Sequence, residues 1–425
     1  MTAGSGRGGG NSGGLGQALR VPEFRALWAA EIVSVGGDQL ARVGLSVLVF
    51  GRTGSAAWAA ATYALTFLPA LVGGVLLGRL ADRHPRRRVM LVCDLLRALL
   101  VALMVLPGAP LPVLCALLVA VVLLAPLHTA AQGALLPEVV PGRVFEAALA
   151  VRHVTGQAAQ VAGFAVGGLL VATLSPAAAL ALDAASFVVS ALVVRLGVAE
   201  RPVSDAAAAP APVPWWVDAR TGLRTVLGDD RRRLLVCAAW LVGCFVLPEG
   251  LAVPYAGQLG LDTAAAGLLM AADPAGSVVG AWLFTRFVPE RVRRRAIGPL
   301  AVAAALPLGI CGTAPGFGAT LVLWGVSGAC ATACLVQAQA EFVRVTPAEL
   351  RGRAIGVAAA GLVGAQGVAM LLGGVVAQVW GARAAVALCG AFGMALALVV
   401  TRAHLRTPRT DTARVARAGV VPVEG

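Results

Sequence analysis

Lysine is missing from this 425-residue chain: all 34 basic residues are arginine, set against 21 acidic residues. Charge of either sign is scarce, at 13% of residues, whereas 59% are apolar and the mean hydropathy is +0.84. Soluble domains carry about a quarter charged residues, so a water-borne globule is excluded and lipid is the natural solvent. Sustained two-residue alternation is also lacking, which excludes a closed β-barrel. Without lysine there is no Gly-x-x-x-x-Gly-Lys loop, which argues against self-contained ATP-driven pumping.

Metal-binding and disulfide patterns are equally scarce. Cys93, Cys115, Cys237, Cys244, Cys311, Cys330, Cys334 and Cys389 all fall inside apolar blocks, and none flank a turn with ligand spacing. They read as small membrane-helix residues. His84, His128, His153 and His404 are scattered, and only His128 is deep in an apolar block, where a packed or cavity-lining neutral imidazole is expected rather than a metal ligand. The net charge of +13 comes from arginines in short clusters between apolar blocks, not from one face of a compact domain, so nucleic acid is not an expected partner.

What the sequence does hold is a series of apolar blocks, each near the ~20 residues that cross ~30 Å of hydrocarbon as a helix. Twelve spans are predicted, near 27–49, 58–80, 89–107, 111–134, 149–172, 178–197, 233–257, 264–286, 297–315, 317–340, 354–378 and 384–402. Alternate loops collect the arginines. One side holds Arg7, Arg20 and Arg25, then Arg79 to Arg88, Arg143 and Arg152, Arg195 to Arg233, Arg286 to Arg295, Arg344 to Arg353, and the tail from Arg402. The other side holds only Arg52 and Arg383, which predicts a multi-pass protein of the inner or plasma membrane with both termini cytoplasmic. Trp28, Trp58 and Trp380 fall at span ends as an aromatic belt; Trp240, Trp282 and Trp324 are deeper and are candidates for cavity lining.

Three features recur at a near-constant offset: Arg86–Arg88 with Arg293–Arg295 at 207 residues, Gly142–Arg143 with Gly352–Arg353 at 210, and Gly167–Gly168 with Gly373–Gly374 at 206. Three matches in order point to two parallel six-helix halves. The expected organisation is a disordered Gly-rich cytoplasmic arm over 1–26, a six-helix bundle over 27–200, a cytoplasmic linker over 201–232, a second bundle over 233–403 and a cytoplasmic tail over 404–425. The arm has no apolar stretch, so the first span is expected to target the membrane. Within the linker, Trp215, Trp216, Ala219, Leu223 and Leu227 lie opposite Asp218, Arg220 and Arg224, as on a helix lying at the membrane surface.

Carboxylates inside spans are costly and mark wet cavities, ion pairs or proton relays. Glu31, Ser34, Asp38 and Arg42 share one stripe of the first span, with Asp38 near mid-membrane; Asp38 and Arg42 form either a fixed pair orienting the helix or a proton-coupling site. Pro248-Glu249-Gly250 and Pro254 break the seventh span at membrane depth and make Glu249 a candidate for a substrate cation or a proton. Asp273-Pro274 in the eighth span reads similarly, with a carboxylate bonded to local backbone at a kink as the structural alternative. Asp94 and Arg97, one turn apart, are expected to form a structural pair, and Glu31 and Asp183 are expected near the cytoplasmic ends.

After the second span, Gly78-Arg79-Leu80-Ala81-Asp82-Arg83-His84-Pro85-Arg86-Arg87-Arg88 resembles the loop motif of the major facilitator superfamily, with Pro85 standing where the family usually has Gly. Ser34, Gly37-Asp38-Gln39, Thr53-Gly54-Ser55, Pro69, Asp94 with Arg97, Leu135-Leu136-Pro137 and the helix from Trp216 to Leu227 resemble its branch of enterobactin-exporter-like proteins, predicted secretion effectors and multidrug or macrolide exporters. Two antiporter motifs are incomplete: Thr129 replaces an expected Arg, and Phe164 stands where Pro is usual after Gly163. Gly163, Gly167 and Gly168 still allow close helix packing. The resemblance implies an all-α membrane fold of twelve helices in two pseudo-symmetric bundles. It implies further that Gly78, Asp82, Arg83, Arg87 and Arg88 gate the cytoplasmic side, with Asp82 set against the eleventh helix near Gly352.

On that resemblance the expected function is secondary active transport: export of a small amphipathic drug, antibiotic, siderophore or secondary metabolite by proton antiport and alternating access. A nutrient symporter or facilitator is the alternative on the same fold, and a membrane receptor or enzyme scaffold the remote one, for which no loop holds a catalytic domain. No cofactor is expected beyond the proton gradient; the expected partners are the small-molecule substrate, protons and the lipid bilayer, with the chain a monomer.

Overall fold

The computed structural model describes residues 17–140, 142–201, 215–293 and 296–406, except for the side chains of 75–82, 143, 215, 290–291 and 403–406. Ten of its helices are long and apolar enough to cross a membrane: Pro22–Thr53, Ala56–Gly74, Leu111–Val139, Val144–Thr173, Pro176–Gly197, Asp230–Gln258, Thr263–Phe287, Phe317–Val345, Ala348–Trp380 and Ala382–Arg402. Arg86–Met104 and Ile297–Thr313 take the third and ninth places and complete twelve in the expected order. The third is set apart by its charges, Arg86 to Arg88, Asp94 and Arg97, and the ninth by its length.

Proline decides where spans break. The second span is interrupted between Ala56–Ala64 and Leu68–Arg83, with Pro69 in the first turn of the second piece. The seventh passes through a short 3₁₀ turn, Cys244–Val246, before Leu247–Gln258 restarts on Pro248. Pro274 does not break the eighth span, which is continuous over Thr263–Phe287. There Gly276 and Gly280 press the helix onto Gly325 and Ala329 of the tenth span, at distances where a Cβ has no room.

The arm over 1–26 is shorter than expected: Pro22 starts the first helix, and Ala18 and Phe24 are buried with Met90, Leu127 and Val194. Glu23 and Arg25 dilute the local hydropathy, but Glu23 is tied to Arg201 at 2.6 Å and so is neutralised where it enters the bundle. Residues 1–16 lie outside the described part.

The halves have matching architecture. In the first, the second and third spans pack on the fourth and the third on the sixth; in the second, the eighth and ninth pack on the tenth and the ninth on the twelfth. The halves meet along the fifth and eighth spans and, symmetrically, along the second and eleventh. The repeated glycines lie on those two seams: a Cβ on Gly168 would fall 2.7 Å from Gly267 Cα, and one on Gly374 would fall 2.6 Å from Ala60 Cβ. Gly163 and Gly167 hold the fifth span against Gly36 and Leu40 of the first.

Among the described residues, hydrogen bonds between the halves lie toward the face remote from the arginine-rich loops. Ser55 Oγ bonds Gln378 Oε1 at 2.8 Å, and Tyr63 Oη bonds Glu249 at 2.6 Å. Along the same seam Leu68 meets Gly367, and Leu71 lies 3.9 Å from a Cβ position at Gly364.

Candidate functional site

Several ionisable groups of the spans come together in the first half and at its boundary with the second. Arg97 Nη2 donates to both oxygens of Asp38, at 2.9 and 3.2 Å, and its guanidinium lies 4.0 Å from the centre of the Phe187 ring. Asp183 is buried beside them, level with Gly37, where a Cβ would fall 2.7 Å from Asp183 Oδ1. Asp183 thus sits near the middle of the first span, not at a cytoplasmic end, because the sixth span enters from the opposite face and reaches it within its first half.

The Asp38–Arg42 and Asp94–Arg97 pairings expected from one-turn spacing are not the ones formed. Arg42 rests over the rings of Tyr63 and Phe67, 5.8 Å from each centre. Asp94 accepts from Ser190 Oγ at 2.7 Å and lies beside His128. Spacing along one helix fixes only a shared side; the third span directs Arg97 toward the first span and Asp94 toward the fourth and sixth.

Glu249 is buried, and its Oε2 accepts the Tyr63 hydroxyl across the boundary between the halves. Arg42 is close enough to interact electrostatically with both Asp38 and Glu249. Asp273, on the eighth span, has Glu249 as its electrostatic neighbour and no hydrogen-bond or ion-pair partner among the described residues. The chain of groups runs from Asp183 and Asp38 through Arg42 and Tyr63 to Glu249 and Asp273. Tyr63 was not foreseen; its signal was a phenol well inside a span, where a hydroxyl needs a partner.

A cavity of about 130 Å³ inside the first half opens on the part of this chain from Asp183 and Asp38 to Tyr63; Glu249 and Asp273 do not line it. Asp38, Arg42, Arg97, Asp183, Thr62 and Tyr63 supply its polar wall, and Leu45, Val101, Met104 and Leu118 its apolar one. The larger groove of the second half, about 610 Å³ among the seventh, eleventh and twelfth spans, has no charged lining residue.

Two expected site groups lie elsewhere. Glu31 forms a two-pronged ion pair with Arg152 of the fifth span, with Nη2 at 2.8 Å from Oε1. Trp240 lines the large outer groove, Trp282 is 61% exposed on the bundle exterior, and Trp324 is buried against Tyr255, so none of the three lines the central cavity.

Of the loop motif, the side chains of Gly78 and Asp82 lie outside the described residues. Arg83 is exposed at the end of its helix. Arg86 pairs with Glu138 of the fourth span, Arg87 bonds the Arg195 carbonyl, and Arg88 pairs with Glu200 at 2.5 Å. Arg86, Arg87 and Arg88 thus bind within the first half. At the same end of the second half, Asp218 of the surface helix Trp215–Leu227 pairs with Arg353 at 2.8 Å.

Comparison with solved structures finds the same fold among transporters. The nucleoside transporter NupG is similar with a TM-score of 0.72 at 12% identity, covering 91% of this chain and 100% of that one. A POT family transporter in complex with a thioalcohol-conjugated peptide gives 0.68 at 11%, covering 89% and 95%. A bacterial homologue of the human lysosomal transporter Spinster, inward-facing and unoccupied, gives 0.66 at 14%, covering 91% and 98%. No curated protein matches the chain by sequence. The sequence profile described as Major Facilitator Superfamily matches residues 27–341 and 290–423. With that match across almost all of the chain, the protein belongs to the major facilitator superfamily and is a multi-pass membrane secondary transporter rather than an enzyme.

Proposed function

We propose that this transporter exports a small amphipathic molecule across the cell membrane by proton antiport, with both termini and the arginine-rich face cytoplasmic. The observation that carries the reading is the run of carboxylates from Asp38 to Glu249, which crosses the boundary between the halves through Tyr63. A proton arriving on a carboxylate removes its charge and weakens its hold on arginine, so protonation at Asp38 releases Arg97 and protonation at Glu249 alters the contact that closes the far face. Substrate enters from the arginine-rich side into the cavity of the first half, whose polar wall includes Asp38, Arg42, Tyr63, Arg97 and Asp183. Rocking of the halves about the glycine seams then exposes it to the opposite face.

The alternating arginines support the orientation, and the resemblance to exporters supports the direction. Asp82 and its neighbouring arginines are assigned to the cytoplasmic gate of the outward-open state; an acid at a helix N-terminus contributes roughly 0.3–1 kcal/mol, small enough to be broken in each cycle.

The test is pH-jump transport in vesicles of purified protein, with a panel of lipophilic cations, macrolides and siderophore-like anions, comparing the parent with Asp38→Asn and Glu249→Gln. Proton-linked efflux that is lost in Asp38→Asn supports the reading. Gradient-independent flux, full activity in Asp38→Asn, or accumulation of substrate by energised cells overturns it, the last in favour of uptake.

A further inference from the structure

The two halves match in architecture but differ where the first span of each meets the last two. In the first half small residues close that seam: a Cβ on Gly163 would fall 2.6 Å from the Gly36 carbonyl oxygen, and one on Gly44 2.9 Å from Ala179 Cβ of the sixth span. In the second half large side chains stand in it. Leu362 lies against Gly243, Leu247 against Gly373 and Phe245 against Gly393, and these hold the eleventh and twelfth spans away from the seventh. The space left between them is the groove of about 610 Å³.

The groove opens on the lipid-facing exterior, where Val368 and Leu372 of the eleventh span and Phe392 and Val399 of the twelfth are more than half exposed. Along the twelfth span it runs from Ala385 to Val400, ~22 Å of helix. Along the seventh it begins at Leu234, about one turn after that helix starts, so its mouth is at the arginine-rich end. One leaflet contributes ~15 Å of a ~30 Å hydrocarbon core, so the groove is deep enough to take an extended acyl chain of the leaflet on that side.

The mouth is basic. Arg233 precedes Cys237, Trp240 and Cys244 by 4, 7 and 11 residues, which places it on the groove-lining face of the seventh span, one turn nearer the surface. Its ion pair with Asp230 is well exposed on both sides, a kind of pair that yields readily to a competing anion. Arg402 is exposed at the end of the twelfth span, just beyond Val400. Ahead of the seventh span, the surface helix turns Trp216, Arg220, Leu223, Arg224 and Leu227 outward within one ~100° arc, while Gly222, Thr225 and Val226 face the bundle. Arg220 and Arg224 thus share the exposed face of Trp216 rather than lying opposite it, the pattern of a helix resting on anionic lipid.

We infer that the groove binds an anionic phospholipid of the leaflet on the arginine-rich side, with one acyl chain among the seventh, eleventh and twelfth spans and the headgroup phosphate on Arg233 and Arg402. A second copy of the chain is the poorer occupant, because a two-fold contact through this face brings the same arginines against each other. Cys244, Phe245 and Leu247 line the groove at the 3₁₀ turn that interrupts the seventh span, two residues before Glu249. A bound chain packs against that turn and so supports the segment that places Glu249. The site stands whether transport is export or uptake.

The test uses the full-length protein in phosphatidylcholine nanodiscs that contain a phosphatidylglycerol with a diazirine in one acyl chain. After illumination, labelled peptides are expected from 234–247, 365–376 and 385–400, at several times the level on the exposed face of the third span around Leu95 and Leu99. Unlabelled phosphatidylglycerol is expected to displace the probe at least fivefold better than added phosphatidylcholine, and the preference to fall about fivefold for each of Arg233→Gln and Arg402→Gln. Ala369→Trp, which fills the groove, is expected to abolish its labelling; if that variant does not fold, the competition in the parent decides. Labelling spread evenly around the bundle, equal competition by phosphatidylcholine, or groove residues protected by a second copy of the chain overturns the proposal.

Discussion

Tyr63 of the first half donates its hydroxyl to Glu249 of the second at 2.6 Å, a buried bond between residues 186 positions apart that helps to close the face remote from the arginines. In the proposed alternating-access cycle this bond breaks in the other state, so its strength contributes directly to the balance between the two.

Tyr63→Phe removes the donor and leaves the Glu249 carboxylate buried without it. A buried hydrogen bond is worth ~1 kcal/mol, which corresponds to a shift of about fivefold away from the state described above. Spin labels placed one in each half on the face remote from the arginines should report a longer distance in the variant. An unchanged distribution would show that the bond does not set the balance.

Gly168→Val places branched carbon where Gly267 Cα already stands 2.7 Å from a Cβ position. Backbone cannot yield as a flexible side chain does, so overpacking should cost ~1–3 kcal/mol and lower both thermal stability and turnover. Gly374→Val, at the equivalent seam against Ala57 and Ala60, should behave alike. Ordinary stability in both variants would mean that the seams are looser than these contacts require.

Arg97→Ala deprives Asp38 of its cation and Phe187 of its stacking partner. Loss of one member of a buried pair typically costs ~3–5 kcal/mol, and the value here should fall at or below the lower end because the Asp38 side chain is 31% exposed. Arg97→Ala with Asp38→Asn should recover part of the loss, measured as a double-mutant cycle in thermal unfolding. Arg97→Lys should not restore it, since an ammonium lacks the planar fork and the stacking face.

Gly222→Val should lift the surface helix from the eleventh span, because a Cβ at Gly222 would fall 2.4 Å from the Arg353 carbonyl oxygen. Asp218→Ala removes only a half-exposed ion pair and should cost under ~1 kcal/mol. Hydrogen exchange over Trp215–Leu227 should rise strongly in the first variant and little in the second. Equal protection in both would show that the docking is held by other contacts.

The twelve spans and the matching of the halves were legible in the sequence, because span length and charge alternation are imposed locally by the bilayer. The repeated Gly167–Gly168 and Gly373–Gly374 even marked the seams, although nothing in the sequence said that their neighbours would be Gly267 and Ala60. Ala18 and Phe24 were misread as part of a disordered arm because hydropathy averages over neighbours, whereas burial depends on what each side chain meets.

Which ionisable groups belong together was decided only by tertiary structure. Helical periodicity placed Asp38 and Arg42 on one stripe and Asp94 and Arg97 one turn apart, and from one helix alone those pairings are as good as any. In the folded bundle Arg97 reaches Asp38 across 59 positions of sequence, Asp94 turns to Ser190 and His128, and Tyr63 reaches Glu249 in the other half. The sequence by itself determined that costly charges lie inside the membrane. Their partners followed from the rotation and depth at which separate helices pack, which local spacing does not encode.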